Sequence, residues 1–301
     1  MTVKEVSVPL ANRLLGASYQ MYRNSKTNHK IIRTVGYALP AVLHSHIRTV
    51  APTTHFPSMR GRWQTPHRRS SRSALAQAEV ASGKVVRAGS PEEKFETTPA
   101  FLRWLYKTRS YSFNRDYGDY KNRLGILGID DDYPSEMDLA LFMAEYRTDG
   151  ISASFQVEQV NGGKYDADDP FDGASVAVQY ASAMAFPESV VFYSVGGNTV
   201  WTEYGSQPIA GDMYFEWLKY LLREPSPPPT ILIGYGEPER DLPEPYARAI
   251  CDKFAQLGVK GVTILVASGW NGVGEEGNCY NATGRRSFVP EFPASCTCGV
   301  L

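Results

Sequence analysis

The chain of 301 residues is poor in cysteine, has no excess charge of either sign and contains no long apolar run. Each shortage removes a class of protein. With 31 Lys and Arg against 32 Asp and Glu, the formal net charge is -1, so overall electrostatics point to no nucleic-acid or membrane partner. The longest apolar stretches, such as Val262 to Ala267 with its one threonine, fall well short of the ~20 residues a membrane-spanning helix needs. The chain therefore reads as soluble. The opening MTVKEVSVPLANRLLG lacks the basic start and continuous apolar core of a secretory signal, so the chain as written is not visibly exported.

All four cysteines (Cys251, Cys279, Cys296, Cys298) fall in the last fifth, none at zinc-like spacing around a histidine. Cys296 and Cys298 lie too close together for a strain-free bridge to each other, and the pairing stays open. The histidines run out early: His29, His44, His46, His55 and His67, then none. A Ser-His-Asp or Cys-His site in the later two thirds would have to borrow one of these, and His44 and His46 read as polar positions on an ordinary helix. Asn281-Ala282-Thr283 fits the acceptor pattern for N-glycosylation.

Three zones follow. Residues 1–57 read as a small α+β unit, with a strand at Ile31-Ile32-Arg33-Thr34-Val35 and a helix opened by Pro40 and running to Ile47. Residues 58–97 scatter Arg60, Arg62, Arg68, Arg69 and Arg72 among serines without apolar period. Such a segment reads as a flexible linker rather than a nucleic-acid patch. From Thr98 helical and strand patterns alternate. Helices are expected at 99–107, 135–147, 172–186, 212–223 and 243–257, and strands at 124–129, 153–160, 190–194, 230–235 and 261–267. This alternation predicts a parallel sheet with helices on both faces.

The last strand runs into ILVASGWNGVGEEGNC, residues 264–279. A dinucleotide site needs G-x-G-x-x-G opening a helix, whereas Gly269, Gly272 and Gly274 give the reverse spacing and no helical period follows. No P-loop Gly-Lys-Ser/Thr is present. The turn would still lie outside the carboxyl ends of the strands, where ligands of open parallel sheets bind.

At this point the residues resemble the sedolisins, serine-carboxyl peptidases that include fungal tripeptidyl peptidases. Besides SGWNGVG and FVPEFPASC, the resemblance is carried by Leu14-Leu15-Gly16-Ala17-Ser18-Tyr19-Gln20, Arg33-Thr34-Val35-Gly36-Tyr37-Ala38-Leu39-Pro40 and Val50-Ala51-Pro52-Thr53-Thr54. Further matches are Thr98-Pro99-Ala100-Phe101-Leu102-Arg103-Trp104-Leu105-Tyr106, Val178-Gln179-Tyr180, Phe192-Tyr193-Ser194 and Phe254-Ala255-Gln256-Leu257-Gly258. The match runs from about Asn12 to Cys296. It implies a subtilisin-like α/β fold, a secreted proprotein whose propeptide assists folding and inhibits, and serine-type hydrolysis of peptide or protein substrates at acidic pH. By the same resemblance, residues 1–57 are a partial propeptide, 98–301 a peptidase domain, and the pattern is truncated at both ends.

The chemistry of the resembled family uses a Glu and an Asp four residues apart on one helix face as base and partner. A further Asp in the glycine turn donates to the oxyanion, and a serine in a later Gly-Thr-Ser attacks the carbonyl. In FDGASVAVQYASAMAF, residues 171–186, the acid positions hold Gly173 and Ala177. Asp172 lies one position early and points about 100° away around the helix. Trp270 stands at the oxyanion position, where its indole donates but exchanges no proton, and no Gly-Thr-Ser occurs. The expectation is a catalytically dead peptidase relative. The alternative is a binding or regulatory protein that engages an active sedolisin. Tyr235, Gly236 and Glu239 resemble a strand end that lines the substrate cleft, although a plain strand-end turn explains them equally well. No metal or cofactor is expected, since the calcium site implied by the resemblance would lie beyond Leu301.

Overall fold

A computed structural model describes residues 6–23, 30–51, 53–54, 56, 97–108, 122–129, 132–197, 212–269, 272–273 and 285–297. Five strands form a parallel sheet: β3 (Arg123–Ile129), β4 (Phe155–Val160), β5 (Ser189–Val195), β6 (Thr230–Ile233) and β8 (Thr263–Val266), in the order β4-β5-β3-β6-β8. Parallel strands need crossovers, and helices supply them. Here α3 (Glu136–Tyr146) and α4 (Asp172–Ala185) cover one face, and α5 (Met213–Arg223) and α6 (Glu244–Val259) the other. The expected parallel α/β layer is therefore present, with element ends within a few residues of those read from the pattern.

The two faces separate because successive strand residues point to opposite sides. Ile126 and its β5 neighbour Phe192 pack under α3 and α4 with Leu139, Met143 and Val178. Leu127 and its neighbour Tyr193 pack under α5 and α6 with Trp217, Leu218, Ile250 and Phe254. Gly128 makes room for this, since a Cβ there would fall 2.1 Å from the Phe192 ring. Helix starts follow local chemistry: Ser135 accepts from the Asp138 amide at 3.0 Å and Asp212 from the Phe215 amide at 3.0 Å, each satisfying a donor the helix cannot.

Two smaller pieces attach to this body. Residues 6–56 form an N-terminal layer of α1 (Val8–Leu15) and the antiparallel pair β1 (Gln20–Arg23) and β2 (Lys30–Arg33). The helix expected from Pro40 to Ile47 is instead a single 3-10 turn, Ala41–Leu43, followed by irregular turns. Val42 is 74% exposed and Leu43 and Ile47 are only half-buried, and a segment this short without a buried apolar face does not hold an α-helix. His44 and His46 thus lie outside any α-helix, and a His44 ring nitrogen sits 3.0 Å from the Leu39 carbonyl. The second piece is a two-residue ribbon of β7 (Glu237–Pro238) and β9 (Glu291–Phe292). A disulfide joins Cys251 on α6 to Cys296 just after β9. Ahead of the sheet, the short helix α2 (Pro99–Leu105) is capped by Thr98. The expected linker at 58–97 lies, but for Thr97's own backbone end, outside the described residues.

Candidate functional site

Each crossover helix runs antiparallel to its strands, so the starts of α3, α4, α5 and α6 gather at the carboxyl rim of the sheet. At that rim the chain after β3 is a hub. The Phe171 amide, just before α4, donates to the Tyr133 carbonyl at 2.9 Å, and the Ser135 amide donates to the Ser175 hydroxyl at 3.1 Å. These bonds hold the beginning of α4 against the end of β3.

Beyond β6, Tyr235 turns inward. It is 3% exposed, and its hydroxyl donates to Asp132 Oδ2 at 2.6 Å across the ends of β3 and β6. Gly236 lies against the ribbon, where a Cβ would come 2.8 Å from the Phe292 carbonyl oxygen. Two acidic residues follow the same ribbon, Glu237 at 1% and Glu291 at 9% exposure. Glu239 emerges from it, its amide donating to the Pro290 carbonyl at 2.9 Å. It lines a groove of about 1350 Å³ together with Leu242, Arg248 and Phe292 from the body and Leu39 and Arg48 from the N-terminal layer. Of the three expected cleft residues, then, Glu239 faces open space, whereas Tyr235 and Gly236 shape the rim from within.

The glycine turn after β8 lies beside this strand end, with the Ala267 amide bonded to the Ile233 carbonyl at 2.9 Å. Gly269 and Gly272 adopt φ of 94° and 62°, the left-handed region that a residue with a Cβ seldom enters. The Val289 amide bonds to the Val273 carbonyl at 3.0 Å, tying the turn to the approach of β9. Trp270, Cys279, Asn281 and Cys298 lie outside the described residues.

On α4 the backbone of Gly173 is buried and Ala177 is half-buried against the core shared with α3. One helical turn apart, they share a face with Ala181, so this stripe presents only hydrogen and methyl groups. Asp172 opens the helix. Among the described residues no group of three or more His, Cys, Asp or Glu is placed to hold a metal ion, and no helix is long and apolar enough to cross a membrane.

A second polar cluster sits at the starts of α5 and α6, and pattern reading missed it. The Tyr246 hydroxyl donates to both Asp212 oxygens, at 3.1 and 2.9 Å. Burial, then the neighbouring Asp212 and Glu237 carboxylates and Tyr214, push the Tyr246 phenol well above its ordinary value. Arg33 of β2 is 4% exposed. Burial lowers its guanidinium to about 10, against the opposing pull of Asp212, Tyr19 and Tyr246. For Asp132, the partner of Tyr235, the run Asp130-Asp131-Asp132 after a strand was a visible signal. Asp212 and Tyr246 meet across 34 positions and leave no local pattern, and neither does the buried Arg33.

Residues 2–56 match the family model described as the pro-kumamolisin activation domain. The chain is 31% identical over 300 residues to tripeptidyl-peptidase SED2 of Arthroderma otae, covering 96% of this chain and 48% of that protein. It is 29% identical over 299 residues to probable tripeptidyl-peptidase SED2 of Trichophyton verrucosum, covering 96% and 48%. The chain thus spans about half the length of the curated relatives it matches. Among solved structures, Pseudomonas sedolisin, a serine-carboxyl proteinase complexed with two molecules of pseudo-iodotyrostatin, aligns with a TM-score of 0.45 and 18% identity over 67% of this chain and 52% of that one. An activation-domain-like start followed by a tripeptidyl-peptidase-like body agrees with the sedolisin resemblance of the sequence.

Proposed function

We propose that this relative of the sedolisins is a proprotein of the serine-carboxyl peptidase type that keeps the frame of a peptide-binding rim and has lost its hydrolytic chemistry. In this reading residues 1–57 act as the propeptide and 98–301 as the peptidase-like body. The observation that carries it is the stripe of Gly173 and Ala177 on α4. A serine nucleophile of this kind needs a base within reach to take its proton, and neither side chain can accept one. Trp270 adds to this at the sequence level, since an indole supplies no carboxyl proton to a developing oxyanion. Losing one member of such a unit already costs about 10⁴-fold or more in rate.

Purified chain assayed with a fluorogenic tripeptidyl substrate across the acidic range is expected to give no turnover above the uncatalysed rate. Saturable hydrolysis would remove the proposal.

A second reading is favoured by the groove, in which Glu239 and Arg248 face the N-terminal layer across open space. Here the chain binds peptide or an active sedolisin without cleaving it. It predicts inhibition of an active tripeptidyl peptidase at equimolar concentration, and the absence of inhibition removes it. Extracellular location is proposed on the same resemblance, with no nucleic-acid or membrane partner.

A further inference from the structure

Both halves of the disulfide Cys251–Cys296 line the groove, beside Glu239, Arg248 and Phe292. They are unequally covered. Cys296 is 5% exposed within the core under α5 and α6, whereas Cys251 packs against that core only in part. A molecule in the groove therefore reaches the Cys251 sulfur before that of Cys296. Arg248 precedes Cys251 by three positions on α6, so the two share one helix face. Around the bridge, the segment 285–297 has few other ties to the body. β9 pairs with β7 over two residues only, and the bonds of the Ser295 amide to the Glu291 carbonyl and of the Cys296 amide to the Pro293 carbonyl are local to the turn. Val289 and Phe292, at 4% and 1% exposure, are its apolar anchors.

From this geometry we propose that the groove is a site for a small zwitterionic thiol of tripeptide size, which opens the bridge by forming a mixed disulfide with Cys251. Its volume of about 1350 Å³ leaves room for such a molecule. Side chains of both signs face it, Glu239 and Glu244 against Arg48 and Arg248, and this suits a ligand that carries both an ammonium and carboxylates. The thiol ionises, and its sulfur attacks the Cys251 sulfur. A new S–S bond forms there, the bond to Cys296 breaks, and its electron pair leaves with the Cys296 sulfur, to which the proton released on ionisation returns. The exchange conserves one disulfide and one thiol, so no further oxidant or reductant enters. Once α6 and the turn after β9 are no longer joined, the segment 285–297 is held by the short ribbon and its two apolar anchors. Glu239, whose amide bonds to the Pro290 carbonyl in that segment, loosens with it, and the wall of the groove changes shape.

The test exposes the full folded chain to glutathione at neutral pH, quenches with an alkylating reagent and maps the adducts by peptide mass spectrometry. Glutathione on Cys251, with Cys296 alkylated, is the expected product. A bridge that stays closed until denaturant is added overturns the proposal. So does an adduct on Cys296 instead, or a bridge lost with both cysteines alkylated and neither carrying glutathione. Arg248→Gln is expected to slow the reaction with glutathione about threefold or more and to leave that with 2-mercaptoethanol, which carries no charged group besides its thiol, unchanged. Equal slowing of both thiols, or of neither, overturns recognition by the groove. In the adduct the amides of 285–297 are expected to exchange hydrogen about tenfold faster or more, with those of β3 and β5 unchanged. Exchange at 285–297 that stays as slow as before overturns the opening. Neither hydrolysis nor inhibition of a peptidase enters these readouts, so their failure leaves both readings of the function untouched, and the converse holds too.

Discussion

In the sheet body the largest fully buried side chains are Trp217, Tyr193, Phe192 and Phe254, whereas in residues 6–56 the buried ones are Arg33, Thr34 and Thr53. Apolar burial is non-directional and scales with area, so the body gains stability from many interchangeable contacts. Buried polar groups gain little net energy, but they are expensive to leave unmatched. The layer is therefore fixed less by how much it buries than by which partner it meets. The difference teaches that one chain can separate the source of its stability from the source of its internal specificity.

Four substitutions press on that contrast, in descending order of effect. Trp217→Ala empties the centre of the face under α5 and α6 and is expected to destabilise the body by about 3–5 kcal/mol, seen as a lower melting temperature. A loss below about 1 kcal/mol would mean the core is loosely packed.

Next come Asp212 and the buried Arg33, which are expected to differ sharply. Asp212→Ala removes the cap of α5 and leaves the buried Tyr246 hydroxyl without its acceptor, costing about 3 kcal/mol. Arg33→Met keeps the packing volume and removes the charge that burial opposes, so its cost should stay within about 1 kcal/mol. Denaturant melts of both variants read the asymmetry, and equal losses would contradict it.

The smallest effect is expected at the surface. The hydrogen bond from Arg147 holds the Asp149 carboxyl below the usual carboxylate range. Its folded value lies below its unfolded one, so the contribution is present above the unfolded value and fades as pH falls through the folded value. With Asp149 65% exposed, Asp149→Asn should change stability by less than about 0.5 kcal/mol. Melting curves at neutral and acidic pH check both size and sign.

The sheet body was legible from its pattern because each strand and helix is long enough to show its own period, as in Val190-Val191-Phe192-Tyr193 and Trp217-Leu218-Leu221. The ribbon of β7 and β9 was not, since two residues carry no period. Pro40 to Ile47 departs from its pattern for a related reason: a proline start and a few apolar residues do not fix an α-helix in so short a segment. At the rim, Gly173, Ala177, Tyr235 and Glu239 could be named from the order of residues. That Tyr235 would turn to Asp132, 103 positions away, could not.

By itself the sequence determined the alternation that builds a parallel sheet, the small residues at Gly173 and Ala177, and the glycines that let the turn after β8 bend. These are local properties, set by side-chain volume, polarity and period. Only the tertiary structure decided that Cys251 bridges Cys296, that Asp132 receives Tyr235, that Asp212 receives Tyr246, and that Arg33 is buried. Burial and pairing depend on which distant segments the fold brings together, and no residue carries that information in its neighbours.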